Sequence, residues 1–113
     1  MITDLNYLKS MSGGDDQFIS EMIELFREQI GEYSQSMPEL FRRKEYKNLS
    51  KMAHKAKSSV AVMGMSEVAE TLRELEILAA EGKEVGRYEE MINDFLEQSR
   101  MALQELDSRN ESP

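Results

Sequence analysis

The stretch Tyr46-Lys47-Asn48-Leu49-Ser50-Lys51-Met52-Ala53-His54-Lys55-Ala56-Lys57-Ser58-Ser59-Val60-Ala61-Val62-Met63-Gly64 repeats its apolar residues at the period of a helix. At about 100° per residue, Tyr46, Leu49, Ala53, Ala56, Val60 and Met63 fall within one arc of about 60°, the stripe that a helix buries against a core. Gly64 is placed to close it. His54, the only histidine of the chain, lies about 120° from the centre of that stripe, on the side that carries Lys47, Ser50, Lys57, Ser58 and Ala61. It is predicted to face water from the middle of a rigid helix.

Outward from this segment, punctuation falls at Gly13-Gly14, Gly31, Pro38, Gly64, Gly82 and Gly86. The segments between keep a period near 3.6, with little strand-like alternation. A short helix is predicted over 4–10, then a long one capped by Asp15 that carries Phe18, Met22, Phe26, Ile30 and Tyr33 on one side. Ile19 and Ile23 lie at the edge of that arc and fit either core or an exposed apolar patch. Gly31 weakens this helix without ending it, and Pro38 suits the first turn of a short helix over 38–43. Ser66 is expected to cap a helix with Val68, Leu72, Leu75 and Ala79, ended by Gly82, before a last helix with Val85, Tyr88, Ile92, Phe95, Leu103 and Leu106. The fold expected is all-α: an antiparallel four-helix bundle with a short additional N-terminal helix, because short connections make neighbouring helices run in opposite directions. One domain is assigned to 1–108 and a frayed tail to 109–113. The nine methionines read as flexible core filler.

With 113 residues, 40% apolar and 32% charged, the chain suffices for one core. The absence of cysteine excludes disulfides and thiolate chemistry and is compatible with a reducing cytoplasm. No stretch is apolar enough to span a membrane, and the N-terminus lacks the layout of a signal peptide, so a cytoplasmic location is expected. Met1 and the polar end at 110–113 favour a free-standing protein, and a monomer is expected. Charge is unevenly distributed. Seven of the fourteen basic residues (Arg42, Arg43, Lys44, Lys47, Lys51, Lys55, Lys57) lie within 42–57, where Glu45 is the only acid, giving that segment about +6 in a chain of net −8. An acidic or phosphorylated partner would be drawn there.

Several chemistries are excluded by the same residues. A carboxylate-bridged metal bundle needs repeated Glu-x-x-His pairs, yet Lys51 stands three before the only histidine. Zinc would need cysteines or further histidines. Nucleic-acid binding is opposed by the net charge and by the lack of aromatic residues among the basic ones. There is no phosphate-binding glycine loop and no room for a nucleotide domain, which excludes an ATP-dependent kinase.

The stretch from Ala53 to Gly64 resembles the histidine-containing phosphotransfer (HPt) family, whose pattern is roughly His-x-x-Lys-Gly-Ser-Ser with a glycine ten residues after the histidine. His54, Lys57, Ser59 and Gly64 match, and the helix layout and the Ser12-Gly13-Gly14-Asp15 turn extend the likeness over most of the chain. Ser58 replaces the usual glycine, Val60 the second serine, and Ala56 a common leucine. The resemblance implies that His54 accepts a phosphoryl group from the aspartyl phosphate of one receiver domain and passes it to the aspartate of another, between a hybrid sensor kinase and a response regulator. Such a protein is a phosphocarrier, with no ATP site and no cofactor of its own; Mg²⁺ is expected on the partner receiver. An unperturbed imidazole, with a pKa of about 6.5, is largely the neutral nucleophile at pH 7. Transfer of a metaphosphate-like group demands positioning and charge neutralisation more than acid–base chemistry. Lys57, one turn after His54, is the first choice for that cationic support, with Lys47 and Lys51 as weaker candidates. Docking is expected around Ser50, Ser58 and Ala61, whose small side chains leave room. The competing reading is a noncatalytic helical adaptor that docks an acidic partner through its basic face.

Overall fold

The computed structural model describes residues 3–111. Five α-helices follow one another: α1 (Asn6–Ser12), α2 (Asp16–Arg42), α3 (Tyr46–Val62), α4 (Ser66–Glu81) and, after a 3₁₀ turn at Val85–Arg87, α5 (Tyr88–Glu111). The four long helices form a closed ring in which α2 packs on α3, α3 on α4, α4 on α5 and α5 back on α2, while α1 leans on α2. Among the described residues there is no strand. Nor, among the described residues, is any helix long and apolar enough to cross a membrane. Of the tail expected at 109–113, residues 109–111 continue α5, and 112–113 lie outside the described residues.

Asp15 caps α2 as expected, its carboxylate accepting from the backbone N–H groups of Gln17 (3.0 Å) and Phe18 (3.4 Å). The buried stripe of α2 is Ile19, Ile23, Phe26, Ile30, Tyr33 and Met37, so both edge isoleucines are core, while Phe18 and Met22 are half-buried at its margin. No separate helix begins at Pro38, which sits inside α2. The proline removes one backbone donor, but the apolar stripe continues past it through Met37 and the half-buried Leu40 and Phe41, and that burial outweighs one lost hydrogen bond. The chain reverses instead at Lys44, in the left-handed region at φ 59°, with the N–H of Glu45 returning to the Leu40 carbonyl (2.9 Å). Ser66 is the first residue of α4 rather than its cap, the position before it being Met65 with no side-chain hydrogen bond.

The closest packing is between α3 and α4. Leu49, Ala53, Ala56 and Val60 of α3 meet Val68, Leu72, Leu75 and Ala79 of α4, and Leu49, Ala53, Ala56, Val60 and Ala79 are completely buried. Three alanines in that seam let the helix axes approach, and helix spacing follows the size of the side chains at the contact. Ser50 is small enough to be covered too: its Oγ donates to the Glu76 carbonyl at 2.7 Å. At the far end, Tyr88 is fully buried, its hydroxyl 2.8 and 2.6 Å from the carbonyl oxygens of Leu78 and Lys83, and its ring meets Tyr46 edge-on at 5.4 Å.

Gly64 has two separate reasons to be glycine. It is left-handed, at φ 74°, where it lets the Met65 N–H reach the Val60 carbonyl (3.0 Å) and close α3. A Cβ there would also lie 2.3 Å from the Asp4 carbonyl oxygen, because the N-terminal segment crosses at this point, the Asp4 N–H donating to the Met63 carbonyl (2.9 Å). Gly64→Ala should therefore lose about 2–4 kcal/mol, one part from the left-handed backbone and one from overpacking. Urea unfolding of the substitution in the full chain and in a chain lacking residues 1–4 separates them: the loss should shrink by about half without the N-terminal segment. An equal loss in both backgrounds would show that the close approach costs nothing.

Candidate functional site

His54 lies in the middle of α3, with Ala53 and Ala56 on the core side anchoring that turn. Its side chain is 62% exposed. One exposed edge of the ring is nonetheless held: Nδ1 is 3.0 Å from Oε2 of Glu76, which α4 brings across the narrow seam. The other oxygen of the same carboxylate, Oε1, accepts from Lys57 Nζ at 3.0 Å. One carboxylate thus joins the nucleophile candidate to the cation one turn along. The Glu76 and Lys57 side chains are only 26% and 29% exposed, so the pair is partly shielded from water.

Partial burial pushes the Glu76 carboxyl up, but the hydrogen bonds from Lys57 and His54, together with the charges they bring, outweigh it and hold the group below the ordinary carboxylate range. Glu76 is therefore ionised near neutral pH. An ionised carboxylate only accepts, so the proton of the neutral imidazole is assigned to Nδ1. Nε2 then carries the free lone pair, on the exposed side of the ring.

Each residue expected at the site has a definite place. Ser58 and Ala61 are exposed on the His54 face, as are Lys47 and Lys51. Lys57 is half-buried and already engaged by Glu76, so its ammonium is not a free charge in this state. Ser50 is a correction: it is buried, at 8% exposure, because α4 closes over that flank of α3, and it is tied to the Glu76 backbone instead of facing a partner. It fixes the depth at which Glu76 sits. Ser59, on the opposite flank, donates to Gln29 Oε1 of α2 at 2.8 Å and lies 3.4 Å from the Tyr33 hydroxyl.

Glu76 and Leu25 were not singled out from the sequence. Glu76 is one of twenty-two acids and stands twenty-two residues from His54, and only the α3–α4 pairing brings the two together. Leu25 is 43% exposed at the rim of a groove between α2 and α3 whose walls include the half-buried Met22, Gln29 and Val62 and the exposed Ser58. The exposed apolar part of that groove is Leu25 with Met22 and Val62, and not Ile19 and Ile23, which are 1% and 2% exposed. Among the described residues no group of three His, Cys, Asp or Glu side chains converges on a metal-sized site.

The tautomer assignment has a direct check. Glu76→Ala removes the acceptor at Nδ1, and the neutral ring should revert toward the Nε2–H form that imidazole prefers in water. Imidazole ¹⁵N shifts at pH 8 report this: Nε2 should carry the deprotonated signature in the parent and lose most of it in the variant. The same tautomer in both proteins would show that Glu76 does not select it.

A comparison with protein-family models matches the Hpt domain over residues 21–109, from the first turns of α2 into the last turns of α5, so that His54, Lys57 and Glu76 all fall inside it. Comparisons with curated proteins and with solved structures returned no match.

Proposed function

This chain belongs to the Hpt domain family, whose members are phosphotransfer modules of phosphorelays, and we propose that it carries a phosphoryl group on Nε2 of His54 between receiver-domain aspartates. The observation that supports this reading best is the Glu76 carboxylate at Nδ1, which leaves Nε2 as the free nucleophilic nitrogen of an exposed, helix-mounted ring. The chain acts as a cytoplasmic, monomeric phosphocarrier without an ATP site, and its partners are receiver domains of a hybrid sensor kinase and a response regulator. The receiver contributes the acidic pocket and the Mg²⁺ expected there.

In the step proposed, the Nε2 lone pair attacks phosphorus of the aspartyl phosphate, an N–P bond forms, and the acyl P–O bond breaks with its electrons returning to the aspartate carboxylate. No proton leaves Nε2, so no general base is required. Because Nδ1 keeps its proton, the phosphorylated ring is cationic, and the Glu76 carboxylate facing Nδ1–H stabilises it as an aspartate does an imidazolium in a hydrolase triad. Lys57 holds Glu76 in its charged form and lies one turn from Nε2, where it offsets the charge of the incoming phosphoryl group. Ser58 and Ala61 keep the face around the ring low enough for the receiver to bring its aspartate close. Return of the group to a second aspartate is the same step reversed.

A noncatalytic adaptor would bind receivers without acquiring phosphate. The two readings separate on His54→Gln: incubated with a phosphorylated receiver domain, the parent should acquire an acid-labile, alkali-stable phosphate and the variant none, with helical circular dichroism unchanged in both. Uptake by the variant, or none by the parent with any receiver, rejects the carrier role.

Lys57→Ala tests the cation. It should lower the yield and shorten the lifetime of phosphohistidine several-fold, while stability falls by about 1 kcal/mol or less, as for other partly exposed ion pairs. Equal lifetimes in the two proteins would remove Lys57 from the site.

A further inference from the structure

The seven basic side chains crowded into residues 42–57 are divided by the fold. Arg42 and Arg43 both bind the carboxylate of Glu39, and Lys57 is held by Glu76. Lys44, Lys47, Lys51 and Lys55 are exposed and, among the described residues, make no ion pair. Lys44 lies in the turn before α3, while the other three stand four residues apart on that helix and form one ridge about 12 Å long that drifts by about 40° per step. The ridge passes beside His54, with Lys51 one turn before it and Lys55 next to it.

This arrangement works against the helix. Like charges four residues apart destabilise a helix by a few tenths of a kcal/mol per pair, and among the described residues no acid pairs with them. Elsewhere the surface is laced with pairs: Arg27 with Asp107, Arg87 with Glu74 and Glu84, Arg100 with Glu97. The unmatched row lies beside the proposed phosphoryl site, on a protein of net −8 that repels an acidic partner from most other directions.

We propose that Lys47, Lys51 and Lys55 are the partner-selecting ridge of this protein, docking a receiver domain that presents acidic side chains at matching spacing on the surface around its phosphorylated aspartate. The inference rests on the reading of His54 as phosphocarrier and adds to it which receivers are served. Charges at the rim of an interface act mainly on association and on the rejection of wrong partners, so the ridge sets how readily a receiver docks and leaves the transfer step to His54, Glu76 and Lys57. Three lysines on an acidic protein are a weak footprint for nucleic acid or an anionic membrane, which reward denser positive charge.

The test uses the full chain, its Lys47→Glu/Lys51→Glu/Lys55→Glu variant and a set of phosphorylated receiver domains that differ in the number of acids on the surface around the aspartate. With acidic receivers, the concentration for half-maximal transfer should rise at least about tenfold in the variant, while the rate at saturation stays within about twofold. Receivers whose acids are replaced by lysine should show the opposite preference, and added salt should erase the difference between the two proteins. An unchanged half-saturation, or a loss of equal size for every receiver, overturns the proposal. So does binding of duplex DNA or phosphatidylserine vesicles that the variant loses while its receiver transfer is unaffected. Failure of the parent to take phosphate from any receiver would instead reject the carrier role itself.

Discussion

The Glu76 carboxylate is the constraint on which the site depends. It sits on α4, yet it holds two residues of α3, the ring of His54 and the ammonium of Lys57, both at 3.0 Å. That bridge exists because α3 and α4 share the most extensive contact of the bundle, through a seam that holds small residues: Ala53 and Ala56 on one side, Ala79 on the other, and Ser50 bonded to the Glu76 carbonyl. A leucine in place of the fully buried Ala56 would thicken the seam. The chemistry of the exposed face is set by the packing of the buried one.

Neutralisation is distributed with the same economy. Burial alone would favour protonated Glu76, and two donors reverse that preference. The result is one negative and one positive group, Glu76 and Lys57, paired beside the ring of His54. Further along α3 the balance is left open at Lys47, Lys51 and Lys55. Positive charge next to the ring is thus of two kinds: one cation, Lys57, locked to the carboxylate that holds the ring, and a row of cations that meets no acid among the described residues.

Gly64 links this face to the chain's beginning. Its left-handed turn ends α3 ten residues after His54, and the N-terminal segment packs so tightly over it that no side chain fits. The glycine that a sequence pattern places ten residues from the histidine is thereby a structural stop that fixes where α3 ends and α4 starts. The α3–α4 register, and with it the reach of Glu76, follows from that stop.

Much of the architecture was legible in the sequence because helical amphipathicity is a local property: the period of the apolar residues, the Asp15 cap and the turns at Gly64 and Gly82 identify the long helices, and the solitary His54 falls on the water-facing side of its own wheel. Membership of the Hpt family was legible from a dozen residues around that histidine. Pro38 misled, because a local rule about proline yields to an apolar stripe that continues through Met37. Ser50 misled for a related reason: a wheel gives direction relative to one helix, and only the neighbouring helix decides how far round that direction is covered. Ile19 and Ile23 were placed in the core, and the exposed apolar rim passed to Leu25, by how α2 packs against its neighbours. Glu76 lay beyond any local reading, since twenty-two residues and a reversal of the chain separate it from His54. The sequence by itself determined the helices and the nucleophile candidate; tertiary structure alone decided which carboxylate meets it, which lysine is neutralised and which are left free, because those are contacts between helices, set by packing distance and register.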